Sequence, residues 1–111
     1  MALHKNFING EWVAGTGAKE NINPSDVTDI VGEYAQADKA QTEAAIAAAQ
    51  AAASGWAATT PQQRADILET AGIELLARRE EIGRLLSREE GKPLANGIAE
   101  TMRAAQIFKF Y

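Results

Sequence analysis

Protein chemistry needs a nucleophile, an acid–base group, a set of metal ligands or a cradle for a cofactor. This sequence of 111 residues is sparing with all four. It has no cysteine, which removes thiolate nucleophiles, thiolate metal sites and disulfides together. Its one histidine, His4, lies close to the N-terminus, where a frayed end is expected. A His-based triad or a multi-His zinc site therefore cannot be assembled from this chain alone. Gly15-Thr16-Gly17 contains Gly-x-Gly, but Gly15 to Lys19 reads as a loop, with no strong strand leading in and no helix following. A dinucleotide fingerprint needs both. Lys92, in Arg88-Glu89-Glu90-Gly91-Lys92-Pro93-Leu94, has the charge to meet a phosphate. Its position favours the plainer role of a helix-terminal cation beside the dipole that ends at Gly91. Taken one at a time, these residues reveal no reaction.

The elements that position them are easier to read. Phe7-Ile8-Asn9-Gly10-Glu11-Trp12-Val13 predicts a short β-hairpin, because Asn-Gly accepts the two positive φ angles of a type I′ turn. Trp12 is its expected packing anchor. Asn21 to Asp26 is a turn cluster around Asn23-Pro24, and Asp29 to Ala35 has the β propensity of a second strand. Asp38, with Gln41 three residues later, starts a first helix that is nearly all alanine and is expected to end at Ser54-Gly55, leaving Trp56 in the following loop. Ile46, Ala49 and Ala53 share one face of it, a small-residue surface suited to close approach by a neighbour.

Thr60-Pro61-Gln62-Gln63 opens a second helix with an N-cap, a proline at the first helical position and a capping box. Leu68, Ala71, Leu75, Ile82 and Leu85 keep three-to-four spacing, interrupted near Arg78-Arg79, where a break and a third helix from about Glu80 to Glu90 are expected. Glu74 with Arg78 and Glu80 with Arg84 fall at i,i+4 on the wet side. Gly91 can take the left-handed conformation that stops a helix, and Pro93 suits the start of the next. Leu94 to Tyr111 then reads as a last helix with an apolar stripe of Ile98, Met102, Ala105 and Phe108 that extends to Tyr111. Its end in Phe108, Phe110 and Tyr111, with no cap or polar tail, looks like a cut through a longer sequence. The fold class is α+β: a β-hairpin and short strands at about 5–35, then three to four helices at about 38–111.

Composition bounds the partners. Net charge is −4 and the sequence pI about 5.0, which argues against nucleic acid, since neutralising phosphates takes clustered Lys and Arg. Hydrophobic residues make up 46%, but many are alanine, whose side chain buries little area, and aromatics are only 6%. The expected core is thin, so the chain should lean on something else. No apolar run approaches a membrane span and the N-terminus has no signal-peptide core, so no membrane partner and a cytoplasmic location are expected.

Four stretches, in order and with matching spacing, resemble the N-terminal part of the aldehyde dehydrogenase superfamily over nearly the whole chain. They are Phe7-Ile8-Asn9-Gly10-Glu11-Trp12; Asn23-Pro24 followed by a strand; the Ala-rich helix leading to Trp56 and then Arg64-Ala65-Asp66-Ile67-Leu68; and Glu90-Gly91-Lys92-Pro93-Leu94 with Glu100 and the aromatic helix end. The resemblance implies one span, 1–111, that is the N-terminal fragment of an α/β cofactor-binding domain. Asn23-Pro24-Ser25-Asp26-Val27-Thr28-Asp29-Ile30-Val31-Gly32 departs from the common family pattern. It is closest to the branch that oxidises 2-oxoglutarate semialdehyde (2,5-dioxopentanoate) to 2-oxoglutarate.

The resemblance further implies a reaction in which a cysteine thiolate attacks the aldehyde, hydride leaves to NAD⁺ or NADP⁺, and a glutamate activates water. None of those residues is expected in this chain, so the chain alone should bind no cofactor and be inactive. The full-length enzyme would take a small-molecule aldehyde and NAD or NADP, pack this part against the rest of its own chain, and form a homo-oligomer. Residue-by-residue transfer yields one site only. Ile22, through its backbone oxygen, and Glu100 match positions that hold a monovalent cation in some members, against the plainer reading of Glu100 as a solvated helix residue. The alternative function is a non-catalytic helical interaction module derived from the same family.

Overall fold

The computed structural model describes residues 3–111, so the first two positions of the expected 1–111 span lie outside the described residues. The element order is β1 (Leu3–His4), β2 (Asn6–Ile8), β3 (Glu11–Val13), β4 (Gly17–Ile22), β5 (Ile30–Gln36), α1 (Lys39–Ala57), α2 (Pro61–Ala77), α3 (Arg79–Glu90) and α4 (Leu94–Phe110). Strands precede helices, as the α+β expectation has it. The described chain divides into two compact units, residues 3–22 with 30–58, and Asn23–Asp29 with Thr59–Tyr111.

In the first unit, β2 and β3 form the expected hairpin, with Phe7 opposite Trp12 and Ile8 opposite Glu11. Asn9 and Gly10 both have positive φ, 52° and 81°, as the type I′ turn requires. The Phe7 and Trp12 rings pack at 4.9 Å, yet Trp12 remains 66% exposed. A three-stranded sheet runs β1-β5-β4, with β5 central, β1 parallel to it and β4 antiparallel.

Two expectations are corrected here. Residues 17–22, the first three of them read as part of a loop, form the longest partner of β5. Gly-Ala-Lys-Glu-Asn-Ile has no apolar alternation because β4 is an edge strand exposed along most of its length, held by backbone pairing rather than by a buried face. His4 is not frayed: it pairs opposite Tyr34 in β5, and the two rings stack at 4.8 Å.

Helix α1 starts where expected, with the Asp38 carboxylate accepting from the Gln41 N–H at 2.8 Å. It does not stop at Ser54-Gly55. It runs through Trp56 to Ala57, so Trp56 is helical rather than in a loop. A run of alanines, the best helix formers, outweighs the roughly 1 kcal/mol that one glycine costs inside a helix. The helix buries no residue completely. Gln41, Ala45 and Ala48 are its half-buried positions, in place of the expected face of Ile46, Ala49 and Ala53, and Ile46 is 63% exposed. Gln41 fastens the helix to the strands, accepting from Asn6 Nδ2 and donating to the Ala14 carbonyl, both at 2.8 Å.

The second unit is a three-helix packing of α2, α3 and α4. Thr60 and Gln63 form the expected capping box at the start of α2, at 3.1 and 2.9 Å. The break falls at Arg78, between Ala77 and Arg79. Arg78 reaches Glu74 at 3.8 Å and Glu81 at 2.7 Å, while Glu80 lies by Arg79 rather than pairing with Arg84 as expected.

Helix contacts are made through small residues. Gly72, Gly83, Gly97, Thr101 and Ala105 are the buried positions of the three helices. A methyl on Gly83 would stand 2.7 Å from the backbone of Ile98, one on Gly97 would meet the Gly83 carbonyl, and one on Gly72 would lie 3.0 Å from the Ala105 carbonyl. Glycine permits this approach by having no side chain. The inward face of α4 is therefore Gly97, Thr101 and Ala105; of the expected stripe, Ala105 is buried and Ile98 lies against Gly83, whereas Met102, Phe108 and Tyr111 are 40%, 38% and 79% exposed. Thr101 satisfies its buried hydroxyl by donating to the Gly97 carbonyl at 3.0 Å. The buried apolar side chains of the described chain are Ala35 and Ala105, which makes the core as thin as the composition implies.

Candidate functional site

Five charged side chains of the second unit, Asp29, Arg88, Glu90, Lys92 and Glu100, form ion pairs at the corner between α3 and α4. Gly91 ends α3 in the left-handed conformation, φ 72°, with its N–H donating to Ser87 O at 2.8 Å. Pro93, φ −56°, leads into α4. Between them, the Lys92 carbonyl accepts from the Ser87 hydroxyl.

The Asn23–Asp29 turn lies against this corner. Asn23 Oδ1 accepts from the Ser25 N–H at 2.9 Å, and Asp26 Oδ1 accepts from the Thr28 N–H at 3.1 Å, so both side chains stiffen the turn from within. Ser25 donates its hydroxyl to the Gly91 carbonyl at 2.8 Å, capping an orphan acceptor at the end of α3. Arg88 grips Asp29 with two parallel bonds, Nε to Oδ2 at 2.8 Å and Nη2 to Oδ1 at 2.6 Å, the geometry that makes Arg–carboxylate pairs directional. Asn23 adds a bond to Asp29 Oδ2 at 3.1 Å. The Arg88 guanidinium first, and the Asn23 amide second, hold the Asp29 carboxyl down from 3.8 to about 2.

Lys92 sits on the other side of the corner, 17% exposed. Its ammonium donates to both carboxylate oxygens of Glu100 at 2.7 Å and lies 2.6 Å from Glu90. Glu100 and then Glu90 push Lys92 upward, so it stays protonated. A phosphate approaching Lys92 would have to displace two carboxylates and overcome their charge, so the geometry favours a structural cation.

The two residues of the expected cation site fall in different units: Ile22 ends β4, opposite Ile30 at a register irregularity, and Glu100 lies on α4. Glu100 already has a counter-charge, since both of its oxygens are engaged by Lys92. Among the described residues, no group of three or more His, Cys, Asp or Glu side chains could hold a metal. Gly15-x-Gly17 is no phosphate cradle either. Gly17 opens β4, and a side chain on Gly15 would run into the Gln36 backbone, so that glycine serves strand packing.

Sequence reasoning missed Asp29 and Arg88. They are 59 positions apart and neither belongs to a recognisable motif. The available signal was indirect: an acidic residue closing an Asn-Pro turn, and an arginine in the last turn of a helix. What the corner can do chemically is hold shape. It contains an ion-pair clamp, a shielded lysine and a capped helix end, and its Ser25 and Ser87 hydroxyls are committed to backbone carbonyls.

Comparison with known proteins places this arrangement. The profile of the Aldehyde dehydrogenase family matches residues 12–111. An alpha-ketoglutarate semialdehyde dehydrogenase of Haloferax volcanii is 36% identical over 109 residues, covering 96% of this chain and 23% of that protein. A 1-pyrroline-5-carboxylate dehydrogenase of Anoxybacillus flavithermus is 38% identical over 104 residues, 94% of this chain and 20% of that protein. The crystal structure of an NAD-dependent benzaldehyde dehydrogenase from Corynebacterium glutamicum superposes with a TM-score of 0.88 at 36% identity, over 96% of this chain and 24% of that one. The chain thus spans between a fifth and a quarter of the length of the relatives it matches.

Proposed function

This chain belongs to the aldehyde dehydrogenase family, and from that premise we propose that it is the N-terminal part of an NAD(P)⁺-dependent enzyme oxidising an aldehyde to a carboxylic acid. The observation that carries the proposal is the coincidence of family profile and fold over almost the whole chain. The segment's contribution is structural. With no cysteine among its 111 residues, it cannot supply the thiolate of the family reaction, and its Asp29–Arg88 pair is a clamp rather than a reactive centre. Alone it binds neither NAD nor NADP and turns over no aldehyde. The whole enzyme is a cytoplasmic homo-oligomer in this reading.

For the substrate we favour 2-oxoglutarate semialdehyde. Relatives bearing that activity in their names occur at 36% and 38% identity, in Haloferax volcanii and Bacillus subtilis, and the Asn23 to Gly32 segment resembles that branch. The competing substrate is 1-pyrroline-5-carboxylate, named for several relatives of similar identity. The test is NAD(P)H formation by the native protein that carries this segment, purified from its own cell and offered each substrate in turn. Faster turnover of 2-oxoglutarate semialdehyde supports the reading, faster turnover of 1-pyrroline-5-carboxylate overturns the substrate, and no reduction of either nucleotide with any aldehyde overturns the activity.

A monovalent cation held by Glu100 and the Ile22 carbonyl remains part of the proposal in a restricted form. A carboxylate and a carbonyl are suitable hard ligands, but the cation must displace the Lys92 ammonium from Glu100. Calorimetric titration of the native protein with potassium chloride, compared with Glu100→Gln, tests it. Equal heats from the two proteins would remove Glu100 from the site.

The second reading is a non-catalytic interaction module. It is favoured by the exposure of Ile67 (56%), Ile73 (54%) and Phe110 (82%), apolar side chains that a self-contained domain would cover.

A further inference from the structure

We draw no further inference here: the strongest candidate, the open apolar groove that Leu75, Ile82, Leu86 and Ala104 line among α2, α3 and α4, is an unpartnered face, and nothing in the structure shows what covers it.

Discussion

Gly83 and Gly55 are both helical glycines, and the structure assigns them opposite roles. In α1, a methyl on Gly55 would meet nothing within 4 Å. Gly55→Ala should then gain what alanine is worth over glycine in a helix, about 0.5–1 kcal/mol. In α3, a methyl on Gly83 would stand 2.7 Å from the Cα, N and Cγ1 of Ile98, while ordinary contact begins at 3.4 Å. Two of those atoms are backbone, so no side-chain rotation relieves the clash and α3 and α4 must separate. Overpacking of this kind costs about 1–3 kcal/mol, which more than offsets the propensity gain. Gly83→Ala should therefore lose about 1–2 kcal/mol.

Urea unfolding followed by far-UV circular dichroism gives the midpoint. Tryptophan fluorescence separates the units, because Trp12 and Trp56 both lie in the first. Gly83→Ala should lower the dichroism midpoint while leaving the fluorescence transition largely in place, and Gly55→Ala should raise its midpoint. If Gly83→Ala stabilised the chain as Gly55→Ala does, the close approach of α3 and α4 would be refuted.

Three further outcomes follow from the same structure. Thr60→Ala removes the capping box of α2 and should cost about 1 kcal/mol of stability, read as a lower urea midpoint with less helical signal. Gly91→Ala places a methyl at φ 72°, 2.6 Å from Ser25 Oγ and 2.8 Å from Pro24 Cγ, and should cost about 1–2 kcal/mol in the same assay, more than alanine at any right-handed surface position. The Asp29 carboxyl is depressed from 3.8 to about 2, so its stabilising contribution is complete above about pH 4 and is lost as pH falls through about 2. Asp29→Asn should lower stability at neutral pH and flatten the acid dependence between those limits; an unchanged acid limb would show that the Arg88 clamp does not hold in solution.

Much of the helical part was legible because its punctuation is chemical. Thr60-Pro61 with Gln63, Gly91 and Pro93 each leave one reasonable local conformation, and the structure has them there. Asn9-Gly10 fixed the hairpin for the same reason. Strand β4 was illegible because an exposed edge strand carries no hydrophobic period. Its existence depends on β5, and a single-stretch reading cannot see a partner. The inward face of α4 was legible only in part: Ile98 and Ala105 were in the expected stripe, but Gly97 and Thr101 were not, because the reading sought apolar side chains. A glycine in a helix reads in sequence only as a cost; that Gly83 is a point of contact is visible only once Ile98 is known to lie against it. The clamp of Asp29 by Arg88 was beyond reach, since charge pairing across 59 residues leaves no spacing to recognise.

The central claim, that this chain is one part of an aldehyde dehydrogenase, is tested most directly by the intact mass of the polypeptide carrying this segment in its native cell. The relatives it matches are such that it covers 20–24% of each, so a product roughly four to five times heavier than 11.9 kDa, with cysteine downstream of Tyr111, is the expected result. A product of 11.9 kDa ending at Tyr111 would contradict the claim, because it would hold no thiolate to attack an aldehyde, and would leave the interaction module as the reading to pursue.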